Sequence, residues 1–324
     1  MPTAATRRGA ELGTRETIAI VGAGLMGHGI AQVFALAGHP VRVYDAQAQA
    51  LATLRARIRA NLDQLGIPAG AEERVTGHAD LGEAVAGASC VFEAAPEKLE
   101  LKRQIFAELV RLADPAALLA SNTSVIPIGE IAAGLDTAGR ILGTHWWNPP
   151  FLVPLVEVVG TDRTQHAVIE RMIALLAGAG KAPVHVRRDV PGFVGNRLQH
   201  ALWREAIAIV AEGIADAETV DTVVKQSFGR RLAVLGPLEN ADLVGTDLTL
   251  DIHNVVLRHL DRSPEPSPYL AGLVAEGRLG MKSGEGFRTW APGEPEAVRA
   301  RVFEHLKKSA SNLGGSNAQA DTPG

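Results

Sequence analysis

The chain has 324 residues, 46% of them hydrophobic and 21% charged, which excludes wholesale disorder and makes two domains the expectation. Thirty-two Lys and Arg against 36 Asp and Glu leave a net charge of −4, so general electrostatic attraction to nucleic acid or an anionic membrane is excluded. The one cysteine, Cys90, cannot form an intrachain disulfide and suits a reducing compartment.

Residues 1–15 carry basic side chains without an apolar signal region and read as a flexible start. No later run approaches the roughly 18 apolar residues of a membrane span, so a cytoplasmic protein is expected. Short apolar runs follow at 17–22, 40–44, 89–94, 117–120 and 140–145, separated by stretches of helical spacing such as 25–38 and 98–112. That alternation predicts a parallel sheet with crossover helices. Runs at 154–159 and 182–186 flank a helical segment over about 164–178 and extend the sheet, which closes near Val190. From Phe193 to Glu212 one long helix is expected, with Leu198, Leu202, Ile209 and Val210 on its apolar positions, and more helices follow. The fold class expected is therefore α/β, a Rossmann-type doubly wound sheet over 16–190 and an all-helical domain over 191–290. Residues 291–324 supply a C-terminal helix and then a small, polar tail from Ser309 that is expected to be disordered.

The first run leads into Gly22-Ala23-Gly24-Leu25-Met26-Gly27, a G-x-G-x-x-G between a strand and a helix. Gly22 suits the tight turn, Gly24 lets backbone approach a pyrophosphate, and Gly27 lets helix and strand pack closely. Asp45 ends the second run 18 residues past Gly27, where its carboxylate can accept ribose hydroxyls and would repel a 2′-phosphate. The cofactor expected is NAD, with Leu25 and Met26 beside it in the loop.

His145 closes one apolar run and Glu157 lies inside the next, with Asn148-Pro149-Pro150 turning the chain between them. A carboxylate in an apolar run needs a partner, and an imidazole is a suitable one. Hydride leaves a carbinol carbon only as its hydroxyl proton is taken, and a neutral imidazole can take that proton near pH 7. His145 is the expected base and Glu157 the group that fixes its tautomer. No H-x-x-x-H, C-x-x-C or carboxylate cluster has ligand spacing, so no catalytic metal is expected.

Through VGAGLMGHGIA, EAAPEKLELK, SNTS, HWWNPP, PLVEVV and VPGFVGNR, in that order, residues 17 to about 290 resemble the L-3-hydroxyacyl-CoA dehydrogenase family. The resemblance implies a dimeric two-domain enzyme with the His145–Glu157 pair as its dyad. It implies that Ala95, Glu97, Lys102 and Asn122 lie along the nicotinamide side of NAD. Ser124, Asn148 and Asn196 are implied as substrate-side residues. The chain departs from the acyl-CoA enzymes in Trp146, Trp147 and Pro150, and in a short 46–80 segment where those enzymes carry a longer, lysine-rich arm. Trp146 and Trp147 are expected to reshape the pocket or, for one of them, to pack in the core. Arg55, Arg57 and Arg59 are expected on a solvated helix face. These departures look more like the branches that oxidise free acids such as L-gulonate, carnitine and a pyridine carboxylate, with Arg188, Arg197 or Arg204 available to a carboxylate. An L-3-hydroxyacyl-CoA substrate, or a non-catalytic NAD-binding role like that of the family's lens crystallins, are the alternatives.

Overall fold

The computed structural model describes residues 15–316. The first elements are β1 (Ile18–Val21), α1 (Leu25–Leu36), β2 (Val41–Tyr44), α2 (Ala48–Ala52), α3 (Leu54–Leu65), β3 (Val75–His78), α4 (Leu81–Val85), β4 (Cys90–Glu93) and α5 (Leu99–Leu112). Then come β5 (Leu118–Ser121), α6 (Ile128–Ile131), β6 (Ile141–Trp146), β7 (Leu155–Val159), α7 (His166–Gly178) and β8 (Ala182–Val186). Helices complete the chain: α8 (Gly195–Ala211), α9 (Ala217–Gln226), α10 (Pro237–Val244), α11 (Thr246–Val256), α12 (Pro268–Ala275) and α13 (Glu294–Ser316).

The strands form one sheet in the order β3-β2-β1-β4-β5-β6-β7-β8, parallel throughout except where β7 runs against β6. Both faces are covered, which is why β1, β4 and β5 read as unbroken apolar runs. Ile18 and Ile20 enter one core with Phe34, Ile58 and Met172, while Ala19 and Val21 enter the other with Phe106, Leu109 and Ile131. Chain order reverses between β1 and β4, so the carboxyl ends of these strands open the crevice in which such sheets bind ligands.

Three details differ from the sequence expectations. β3 (VTGH) was not foreseen, because Val75 alone of its four residues is buried and the strand lies at the sheet edge. α13 continues to Ser316, past Ser309 where the polar tail was expected to begin; the remainder of that tail, and residues 1–14, lie outside the described residues. Arg55, Arg57 and Arg59 do not simply form a solvated face. Each donates to backbone carbonyls: Arg55 to Val75, Arg57 to Ala23 and Ala50, and Arg59 to Ile67.

The chain divides into two compact units, one comprising residues up to Asn196 together with those from Glu304, the other Arg197–Phe303. The second is helical apart from isolated bridges at Gly280, Glu285 and Thr289. Among the described residues, no helix is long and apolar enough to cross a membrane.

Candidate active site

The site grows from the carboxyl ends of β1, β2, β4, β5 and β6. Gly22 takes φ +104, and a Cβ there would meet Ala94 O at 2.8 Å; one on Gly27 would overlap Gly22 O. The turn therefore needs both glycines. Nothing lies within 4 Å of the space a Cβ on Gly24 would fill, so the loop is open to a ligand at the N-terminus of α1. Leu25 is exposed and Met26 half-buried beside this space. Asp45 is fixed in advance, with Oδ2 receiving the Ala23 N–H at 2.7 Å and Oδ1 that of Gln47 at 2.8 Å. Arg57 braces the same loop through the Ala23 carbonyl at 2.7 Å. Backbone donors around an open glycine, beside a held carboxylate, fit a dinucleotide.

β4 ends in Glu93, which is fully buried with Lys102 of α5. The Lys102 ammonium donates to both Glu93 oxygens, at 2.9 and 3.0 Å, and lies 3.4 Å from Glu97. Glu93 also receives the Ala95 N–H and the Ser121 hydroxyl. Lys102 thus sits beneath the site, engaged by carboxylates. Glu97 reaches the loop after β5, where one oxygen receives Thr123 Oγ1–H and the N–H groups of Ser124 and Val125. Asn122 Oδ1 receives the Trp146 N–H at 3.1 Å and so ties this loop to β6. Asn196 Nδ2 donates to the Ser124 carbonyl at 2.9 Å.

His145 and Glu157 are direct partners across the antiparallel β6–β7 ladder, 4% and 1% exposed. Facing positions bring the side chains together on one face of the sheet. His145 Nδ1–H donates to Glu157 Oε2 at 2.7 Å, while Glu157 Oε1 receives the N–H groups of Val194 and Gly195 at 2.9 and 3.0 Å. Burial by itself raises the Glu157 carboxyl, but the bond from His145 and the Gly195 and Val194 amides outweigh it and hold the group below the ordinary carboxylate value. An ionised acceptor at Nδ1 fixes the imidazole proton there and leaves Nε2 as the basic nitrogen.

The two tryptophans divide. Trp146 is 2% exposed and packs edge-on against Phe34 and Phe92 in the core. Trp147 lies beside His145, ring centroids 5.1 Å apart, and its edge fills the space a Cβ on Gly195 would need. Asn148 is exposed on the loop between β6 and β7. Arg188, Arg197 and Arg204 are exposed as well.

Sequence reasoning overlooked Glu93, Phe193 and the amide pair of Val194 and Gly195. Glu93 could have been found by the rule applied to Glu157, since it too is a carboxylate in an apolar strand (CVFE). Phe193 adopts φ 49, uncommon for a bulky residue, and its ring stands 5.8 Å from that of His145. That turn aims the two amides at Glu157, and no local pattern announces it.

Residues 17–190 match the family model for the 3-hydroxyacyl-CoA dehydrogenase NAD binding domain, and residues 192–290 that for the 3-hydroxyacyl-CoA dehydrogenase C-terminal domain. The chain is 34% identical over 294 residues to 5-formyl-3-hydroxy-2-methylpyridine 4-carboxylate 5-dehydrogenase of Mesorhizobium japonicum, covering 89% of this chain and 95% of the relative. It is 41% identical over 232 residues to L-carnitine dehydrogenase of Streptomyces griseus, covering 70% and 69%. A crystal structure of 5-formyl-3-hydroxy-2-methylpyridine 4-carboxylic acid 5-dehydrogenase, an NAD+ dependent dismutase, superposes with a TM-score of 0.86 at 33% identity, covering 93% of this chain and 99% of that one.

Proposed function

The chain belongs to the 3-hydroxyacyl-CoA dehydrogenase family, and on that premise we propose that it oxidises the hydroxyl group of a small free hydroxy acid, with His145 as proton acceptor and Glu157 as its orienting partner. It binds NAD through its first domain, and NAD+ when bound supplies the hydride acceptor. The observation that carries the proposal is the 2.7 Å bond from His145 Nδ1–H to the buried Glu157.

His145 Nε2 takes the hydroxyl proton as the C–H bond breaks, and Glu157 stabilises the imidazolium that results. Ser124 hydrogen-bonds the reacting oxygen, held in place by Glu97 on its amide and Asn196 on its carbonyl. Asn148 flanks the dyad. In the reverse direction the imidazolium returns its proton to the growing alkoxide. Gly22, Gly24, Leu25, Met26, Gly27 and Asp45 hold the adenosine and pyrophosphate. Ala95, Glu97 and Asn122 line the nicotinamide side, with Lys102 fixing Glu97 from below.

Three features support a free acid over a CoA thioester. Two of the relatives carry free-acid names. Trp147 crowds His145. Arg55, Arg57 and Arg59 direct donors at backbone carbonyls, which leaves them poorly suited to clamp a CoA phosphate. The proposal includes a cytoplasmic homodimer, supported by apolar side chains that the helical unit leaves uncovered, such as Val234 at 85% and Leu238 at 80% exposed.

The test is NADH absorbance with NAD+ and L-gulonate, L-carnitine, 3-hydroxybutyrate, a hydroxymethyl-pyridine carboxylate or 3-hydroxybutyryl-CoA. A free acid is expected to give the highest kcat/KM. A preference for the thioester would overturn that substrate assignment and leave the dyad reading standing.

A further inference from the structure

Pro149 and Pro150 contribute no N–H to the loop that follows Asn148. Leu152 and Val153 both donate to Pro149 O, and the Ala182 N–H donates to Pro154 O at 2.8 Å, so the Pro150 and Val153 carbonyls are among those that receive no backbone amide. The Pro150 and Val153 carbonyls instead receive one side chain, Lys181, whose ammonium donates to Pro150 O at 2.7 Å and also to Val153 O. Lys181 precedes β8, and its Nζ stands 5.4 Å from the centroid of the Trp146 ring. On the far side, the Pro150 ring packs against α1 so closely that a Cβ on Gly29 would lie 3.0 Å from it.

This ammonium is an expensive choice. Among the described residues no carboxylate forms an ion pair with it, and burial pushes its amine down to about 8. The unfolded chain keeps a lysine proton to its ordinary value of 10.5, whereas burial lowers that value in the folded chain, so the charged form carries a desolvation cost at neutral pH that its two carbonyl bonds must offset. A methionine of similar length would remove that cost but leave the Pro150 and Val153 carbonyls without this donor. An ammonium that no carboxylate pairs and that bridges two carbonyls of one loop points to a role in holding that loop.

We propose that Lys181 is a positioning residue: its ammonium clamps the 149–153 loop against Trp146 and α1, and thereby sets Asn148 beside the His145–Glu157 pair. This rests on the roles of His145 and Asn148 given above. Lys181 touches neither substrate nor cofactor in this account; it acts through the two carbonyls.

The experiment compares the full-length wild type with K181M, K181R and H145A. Three quantities are read: thermal midpoint, amide hydrogen exchange at Leu152 and Val153, and kcat with NAD+ and whichever compound of the panel above is turned over fastest. For K181M the expected result is a midpoint close to wild type, because the desolvation cost removed and the carbonyl bonds lost offset each other, with exchange at both amides faster by about tenfold or more and kcat lower by about 10- to 100-fold. K181R, which restores a cation and donors, recovers part of the kcat and of the protection. A strongly lowered midpoint would make Lys181 an ordinary structural stabiliser and overturn the proposal. Unchanged exchange, or unchanged kcat with a loosened loop, would overturn it too. H145A separates the two readings: if it retains full activity, the dyad assignment fails, while midpoint and exchange still report on the clamp.

Discussion

Glu97 receives the backbone N–H of Ser124 at 2.9 Å, and the same carboxylate oxygen holds the Thr123 hydroxyl and the Val125 N–H. One charge therefore sets the loop from which Ser124 would meet the reacting oxygen. Burial raises this carboxyl, but the Thr123 hydroxyl, the Lys102 charge and the two amides outweigh burial and keep it below its ordinary value. Glu97→Gln keeps the shape and removes the charge, so each bond weakens. A fall in kcat of about tenfold is expected, with stability lower by only about 1 kcal/mol. Steady-state kinetics beside urea unfolding check this, and an unaltered kcat would detach Glu97 from the placement of Ser124.

Lys102 and Glu93 are both fully buried, and removing one strands the other. Lys102→Met is expected to destabilise the chain by about 3–5 kcal/mol, because it leaves Glu93 buried without its partner. Adding Glu93→Gln should return part of that loss, since the second change removes the stranded charge. Denaturant unfolding of the two single variants and the double gives the coupling, and strict additivity would show that the pair does not act as a unit.

The His145–Glu157 bond makes a prediction with a definite sign in pH. Glu157 is held below its free value of 4.5, so its contribution to stability is complete above that value and is lost as pH falls through the lower native one. The gap in unfolding free energy between wild type and Glu157→Gln should accordingly close as pH drops below about 4. At pH 7 the same variant is expected to lose about 10²- to 10⁴-fold in kcat, as is His145→Ala. Parallel acid limbs in the two stability curves would contradict the ionised-carboxylate reading.

How much of this was legible in the sequence depended on whether the signal was local. β1, β4 and β5 are covered on both faces, so their runs are apolar up to the Glu93 and Ser121 that end β4 and β5, and the glycines of the first turn stand at fixed spacing. The edge strand β3 carries no such pattern. His145 and Glu157 could be paired because the strands that hold them are neighbours in sequence. The clamp on Glu157 could not, since Val194 and Gly195 arrive from 37 and 38 residues downstream through an unusual backbone conformation at Phe193. The arginines of α3 misled for a similar reason: their spacing describes a helix surface, but their targets, such as Ala23 and Val75, come from distant turns and strands.

The contact between Gly195 and Trp147 is another dependence on a distant partner. A Cβ at Gly195 would lie 2.4 Å from Trp147 Cζ2 and 3.3 Å from Glu157 Oε2, so a methyl group there meets the indole and the dyad together. Gly195 also donates its N–H to Glu157, and any shift of the helix start that relieves the clash lengthens that bond. Gly195→Ala should therefore cost about 1–3 kcal/mol as an overpacking change and lower kcat as His145 loses its fixed partner. Trp147→Phe removes the edge that the methyl group strikes. The double variant is expected to regain stability and kcat over Gly195→Ala alone, a non-additivity readable by thermal melts and turnover. If the double variant is no better than Gly195→Ala, the crowding lies elsewhere and Trp147 does not set the shape of the pocket at this point.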